Sequence, residues 1–432
     1  MLRACLVSLP AAPVVETTIP GNIGGTETRA WLFARTLAKR GDTEVTFIVR
    51  HREPLPRTTY ENVEVRTLVD PLFNLHEQVG MSVERRPGFP WLRIKQWRPS
   101  LLWRLPEVAV RRFLDSRNRD PYAADPTYEG VSTDVFCTFG VQTNSAKVIA
   151  SAHQAGKPAV LVLGSDGDLD ERFFTDPDYI NPYGDRSPVC RWILREADAI
   201  VCQTPDQQRL LQGRFQRSGV VVANPIDLTE WDCRAAEKVV LPVTGDRFVL
   251  WVGRAEPEHK RPMMCIEIAA KVPEIPFVMV MNPRDPAEEA RVRASVPQNV
   301  TIVPSLAPDR MASLMSRALA LLNTSALEGF PNTFLQAGAA RIPAISLVVG
   351  DDFFHASGGG VCTRGDLDAA AKSIRRYASD AALRESVGAK SRSWIAGHHN
   401  AATQTAALRD VLRQAVESGV RAGAVDGATS AR

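Results

Sequence analysis

Short apolar runs alternate with stretches of helical spacing along most of the chain. Ala4–Leu9 is apolar and leads through a Pro/Gly-rich loop into G21-N-I-G-G-T-E-T-R-A-W-L-F-A-R-T-L-A-K-R-G41. There Ala30, Leu32, Phe33, Leu37 and Ala38 recur at helical spacing, and Gly41 closes the helix. Val45–Val49 is the next apolar run. Strand, loop, helix, strand is a βαβ unit, which predicts a parallel sheet. The rhythm resumes with strands at Val135–Thr138, Ala159–Leu163 and Ala199–Cys202, separated by helices at Ser145–Ala155 and Pro188–Glu196. A second alternating series begins at Arg247. Its strands are Phe248–Gly253, Phe277–Met281, Val300–Val303, Leu319–Leu322 and Ala344–Leu347, with helices at Met263–Val272 and Asp309–Arg317. Between the two series, A223-N-P-I-D227 and the polar stretch up to Gly245 read as a linker.

The stretch from about Asp70 to Tyr128 breaks this rhythm. It holds Trp91, Trp97 and Trp103 at intervals of six residues, and between Ser82 and Arg119 ten Lys/Arg stand against three acids, a balance of +7. Tryptophan beside Arg and Lys suits an anionic membrane surface or an anionic acceptor, whereas the plainer alternative is a solvated insertion packed on its domain. The tail from Gly419 to Arg432 is small and polar and is expected to be disordered.

Composition narrows the class. A chain of 432 residues is long enough for two or three domains, and 44% hydrophobic with 23% charged residues is ordinary for a globular protein. A net charge of +3 gives no reason to expect nucleic acid. Seven cysteines without a C-x-x-C pair supply neither a disulfide framework nor a zinc pattern, which fits a reducing compartment. The first residues read as a strand rather than a signal peptide, and no apolar run reaches the roughly 18 residues of a membrane span.

Candidate chemistry sits in the loops that follow strands, where ligands of parallel sheets bind. The Gly24–Gly25 turn lacks the G-x-G-x-x-G pattern, so a nicotinamide cofactor is not expected, and there is no G-x-x-x-x-G-K-S/T. Three carboxylates in G164-S-D-G-D-L-D170 fit helix capping, ligand contact or, given further ligands, a metal. Arg254 and Lys260, six residues apart, can neutralise a diphosphate or serve as surface charges. In T324-S-A-L-E-G-F-P-N-T-F-L-Q336, Glu328 precedes a helix expected to begin at Pro331 as a first-turn residue. The amides there, approached through Gly329, offer a site for phosphate or sugar oxygens. A capped strand–loop–helix joint explains the same residues without a ligand.

Taken together, G-G-T-E at Gly24–Glu27, R-E-A-D-A-I-V-C-Q-T at 195–204, A-N-P-I-D at 223–227, V-G-R with Lys260, and E-G-F-P-N-T-F-L-Q at 328–336 resemble glycosyltransferase family 4. The resemblance covers nearly the whole chain. It implies an α/β chain of the GT-B fold, two Rossmann-like doubly wound domains facing a central cleft: residues 1–225 with the insertion at about 70–128, then 226–395. A helix at 396–418 would cross back to the first domain ahead of the tail 419–432. It also implies retaining transfer of a sugar from a nucleoside diphosphate donor to the hydroxyl of a glycan, lipid or small molecule, without metal or cofactor, in glycan, polysaccharide or glycolipid synthesis. The expected location is cytoplasmic, with peripheral membrane contact through Trp91, Trp97 and Trp103.

By that resemblance Arg254 and Lys260 hold the diphosphate, and Glu328 faces the donor sugar. Gly24, Gly25, Gly253, Asn282, Gly329, Phe330, Pro331, Asn332 and Thr333 line the donor. Two departures stand out. Gln336 replaces the second Glu of the family's E-x7-E, and G164-S-D-G-D168 occupies the place of a common His, leaving Ser165 or Asp166 to orient the sugar. None of His51, His76, His153 or His259 falls there. The departures motivate a second expectation, a GT-B-like nucleotide- or glycan-binding protein without activity.

Overall fold

In the computed structural model the described residues are all except 20, 22, 23, 71–74, 76–78, 81, 87, 115–119, 238, 239, 241, 242, 244–246 and 430–432. His76 therefore lies outside them. The chain forms two compact units. One comprises residues 1–225 together with the C-terminal helix Ala401–Thr429, and the other is Ile226–Asn400.

The first unit is built on β1 (Leu2–Val7), β2 (Thr43–His51), β3 (Thr59–Tyr60), β4 (Val63–Val69), β7 (Val135–Phe139), β8 (Ala159–Val162), β9 (Ala199–Cys202) and β10 (Val220–Val221). A separate hairpin pairs β5 (Val83–Arg85) with β6 (Leu92–Ile94). The main sheet runs β10-β9-β8-β7-β1-β2-β4-β3, parallel except for the edge strand β3. Strands such as β7, buried at every position, read as continuous apolar runs because helices cover both faces. Winding reverses between β1 and β7, so the carboxyl ends of these two strands mark the switch point where a ligand crevice forms. Leu408 and Leu412 of the C-terminal helix are fully buried in the same apolar cluster as Leu6 and Phe47.

The second unit carries β11 (Val249–Arg254), β12 (Phe277–Asn282), β13 (Val300–Val303), β14 (Ala320–Asn323), β15 (Ala344–Ser346) and β16 (Gly360–Cys362), all parallel. Their order, β13-β12-β11-β14-β15-β16, is the dinucleotide-fold order, with its switch point between β11 and β14. All seven cysteines are free, five of them buried.

Several expectations need correction. The stretch read as a linker contains the helix Leu228–Ala236, capped by the Asp227 side chain accepting from the Glu230 amide. Its Trp231 is buried in the core of the second unit, a contribution of roughly 3–5 kcal/mol. Pro331 is not in the first turn: it is the N-cap of the helix Asn332–Ala339, with ψ at 115°. The terminal helix is Ala401–Thr429.

Candidate functional site

In the second unit two loops leave the sheet at its switch point, one after β11 and one after β14. Gly253, next to last in β11, is a glycine because the Trp251 indole lies against it. A Cβ there would lie 2.7 Å from the ring. Trp251 Nε1 donates to Thr324 Oγ1 (2.8 Å), and Thr324 Oγ1 donates to the Lys260 carbonyl (2.6 Å). Arg261, left-handed at φ 49°, donates through Nε to the Thr324 carbonyl (2.7 Å), and the Ala326 amide donates to the His259 carbonyl (2.8 Å). Burial draws the Arg261 guanidinium below its ordinary value. The loops are thereby stitched together before any ligand arrives, which is the preorganisation a site requires.

This stitching brings Lys260 to Glu328. The ammonium pairs with the carboxylate, and Ser325 Oγ donates to the same Oε1 (2.9 Å). Ser325 is itself held by its amide donating to Asn323 Oδ1 (3.0 Å). Arg254 does not share this pair. Its Nη2 lies 3.2 Å from Glu256 Oε2, and His259 Nδ1 lies 3.5 Å from Glu256 Oε1. Each expected diphosphate cation thus has a carboxylate of its own, and Glu256 is a member of the site that the sequence reading missed. Its signal was available, since R254-A-E256 carries an acid two residues past the arginine.

Asn282 ends β12 in register with Arg254, and its Oδ1 is buried with no hydrogen-bond partner among the described residues. Such an orphaned acceptor costs about 1–3 kcal/mol unless a ligand or water donates to it. Beyond Glu328, Gly329 leads to Phe330, whose ring packs 5.3 Å from Phe353 and 4.9 Å from His399. That aromatic anchor fixes the entry of the helix Asn332–Ala339. Its N-cap, Pro331, gives no side-chain hydrogen bond to the first turn. Thr333 and Gln336 are half-buried on this helix.

The first unit holds a second group at its own switch point. Gly24 precedes the helix Gly25–Lys39, and a side chain at Gly24 would overlap the Glu27 carboxylate, which folds back on the helix start. Beside it, Gly140 (φ 80°) follows β7 and Gly164 follows β8. A Cβ at Gly164 would meet Asp168 Oδ2 at 3.3 Å and Thr26 Oγ1 at 3.5 Å. Ser165 is extended ahead of the tight turn Asp166–Leu169, and Asp166 is half-buried within it.

Asp168 organises this loop. It accepts from the Gly164 amide (2.6 Å), with Val141 and Ser165 amides also directed at it, yet desolvation outweighs them and pushes its carboxyl up to about 6. Beneath lies Arg29, only 3% exposed, donating to Asn224 Oδ1 (2.7 Å) and the Leu163 carbonyl (2.6 Å). Burial draws its guanidinium down to about 10. Gln203 completes the network, donating to Leu163 O and accepting from Asn224 Nδ2, both at 2.9 Å. By position in the sequence the loop points to Ser165 and Asp166, whereas Asp168 and Arg29 stand out only through their burial, which a carboxylate-rich loop does not reveal. Of the histidines considered there, His153 instead pairs with Asp198 (2.9 Å) and His51 Nδ1 lies 3.0 Å from the Glu53 carbonyl. Among the described residues no group of three His, Cys, Asp or Glu is placed to hold a metal.

Two such doubly wound units in one chain define the GT-B class of fold, and solved structures agree. The chain matches sucrose-phosphate synthase from Thermosynechococcus elongatus with a TM-score of 0.66 and 17% identity, over 97% of this chain and 100% of that one. It matches an E. coli trehalose-6-phosphate structure bound with UDP-2-fluoro glucose at 0.61 and 12%, covering 95% and 99%. The match to S. aureus TarM, in a complex that includes UDP, is 0.63 and 10%, covering 95% and 100%. By sequence, residues 246–380 match the family model for glycosyl transferases group 1, a span that contains Arg254, Lys260, Asn282 and Glu328. No curated protein matches the chain.

Proposed function

We propose that the protein is a retaining glycosyltransferase that moves a sugar from a nucleoside diphosphate donor to an acceptor hydroxyl, in the manner of glycosyltransferase family 4. The observation that carries this reading is the Lys260–Glu328 pair at the β11/β14 switch point, inside the segment that matches glycosyl transferases group 1. Donor diphosphate draws Lys260 and Arg254 away from Glu328 and Glu256. The two cations then stabilise the negative charge that grows on the leaving diphosphate, a role fixed positive groups fill without a metal. Glu328, released from Lys260 but still held by Ser325, is left to accept from sugar hydroxyls. Asn282 Oδ1 takes its missing donor from the nucleotide part of the substrate. Gln336 accepts through its carbonyl and donates through its amide, where a Glu would accept twice. Gly24 and Gly25 serve the donor phosphates, and Ser165 or Asp166 orients the sugar.

Incubating the purified protein with UDP-, GDP- and ADP-sugars and following nucleotide release tests the proposal, which predicts release from one donor class. A second reading, a nucleotide- or glycan-binding protein without activity, is favoured by Gln336. Binding of a nucleoside diphosphate without turnover on any acceptor would select it.

A further inference from the structure

We infer that the insertion between β4 and β7 is a docking surface for the anionic face of a lipid bilayer, an inference that stands independently of the transferase reading. The helix Leu101–Leu114 within it is amphipathic in an inverted sense. Leu101 is buried, whereas Leu102, Trp103, Pro106, Ala109 and Val110, which share one helical face, are all exposed. An ordinary surface helix turns its apolar stripe inward and its charges outward.

The hairpin of β5 and β6 adds to the same display. Phe89 is 83% exposed, Trp91 64% and Trp97 59%, with Leu92 and Ile94 also open to solvent. Large apolar side chains concentrated in about twenty residues are not the scattered exposure normal for a soluble surface. The accompanying charge decides the partner. Arg86, Arg93 and Lys95 are exposed, Arg98 and Arg104 half-buried, and Glu107 is the one acid among the described residues from 86 to 110. Indoles and Arg/Lys side by side match the headgroup boundary, where the ring sits among acyl chains and the cation meets lipid phosphate. An apolar protein partner would not call for this cationic excess.

The position is consistent with that use. The insertion leaves the sheet at the carboxyl end of β4, the edge at which the loops bearing Gly24, Gly140 and Gly164 also lie. No helix among the described residues is long and apolar enough to cross a membrane, so the contact is peripheral.

The test is flotation of the 432-residue chain with vesicles of phosphatidylcholine alone and of phosphatidylcholine with roughly 30% phosphatidylglycerol, an anionic content that gives a strong surface potential. The expected result is partition onto the anionic vesicles, weakened at least ~10-fold by raising salt and by the triple variant W91A/W97A/W103A. The charge-reversed variant R93E/K95E should lose the preference for anionic over neutral lipid. Circular dichroism and the thermal midpoint, unchanged in these surface variants, show that folding is intact. Absence of flotation, or flotation undiminished in the triple variant, would overturn the inference. So would a concentration-dependent dimer of the wild type, measured by light scattering, that the triple variant abolishes in the absence of lipid.

Discussion

Lys260 and Glu328 neutralise one another in the ligand-free protein, and so do Arg254 and Glu256. Under the proposed function a donor diphosphate competes with a carboxylate for each cation. Glu328→Gln removes one competitor from a pair that is partly exposed and worth up to about 1 kcal/mol. We predict that calorimetry will show about three- to five-fold tighter binding of nucleoside diphosphate in this variant, together with loss of sugar transfer. Tighter binding with full transfer would deny Glu328 its role toward the sugar. At Gln336 the opposite substitution is informative. Gln336→Glu should tighten nucleotide binding by about five-fold, since a carboxylate accepts a hydrogen bond more strongly than an amide; unchanged affinity would remove that residue from the site. Glu328 and Gln336 were legible in the sequence as a motif. Glu256 was legible too, as the acid two residues past Arg254, whereas Asp168 was not, because it matters through its burial rather than through its spacing.

Among the elements, Gly388 shows how packing overrides propensity. It lies within the helix Ala381–His398, where alanine would be favoured by about 1 kcal/mol on propensity alone. Yet a Cβ there would overlap the Arg341 carbonyl. Gly388→Ala is therefore predicted to destabilise by on the order of 2 kcal/mol in urea unfolding, and a gain in stability would contradict this packing. The loop after β8 gives a pH prediction. Desolvation raises the Asp168 carboxyl to about 6, above its ordinary 3.8, so the folded state binds the proton more tightly than the unfolded chain. Its contribution is fully present below about pH 4 and is lost as pH rises through 6. Relative to Asp168→Asn, the wild type should gain on the order of 2 kcal/mol between pH 7 and pH 4. A flat difference would show that Asp168 titrates normally. The fully buried strands and their helices were legible as alternation. The helix Leu228–Ala236 was not, because its polar composition matches a linker and Trp231 is its one buried side chain, with Leu228 and Ala235 only partly buried against the core. The short strands β3, β5 and β6 escaped notice since they are too brief to show a period.

At the scale of the molecule, the same alternation written twice along the chain yields two parallel sheets. What the alternation cannot contain is strand order, which places β11 beside β14 and so brings residues 254–261 against 324–328 from opposite ends of a long sequence interval. Under the proposed function this junction binds a nucleoside diphosphate sugar. Thermal unfolding of the intact chain with UDP-, GDP- and ADP-sugars, each alongside Lys260→Ala, tests it most directly, because ligand at 100 times its Kd stabilises by about 2.7 kcal/mol. One donor class is expected to raise the midpoint of the wild type by several degrees, and Lys260→Ala is expected to abolish the shift. No shift with any donor, or an equal shift in Lys260→Ala, would contradict it.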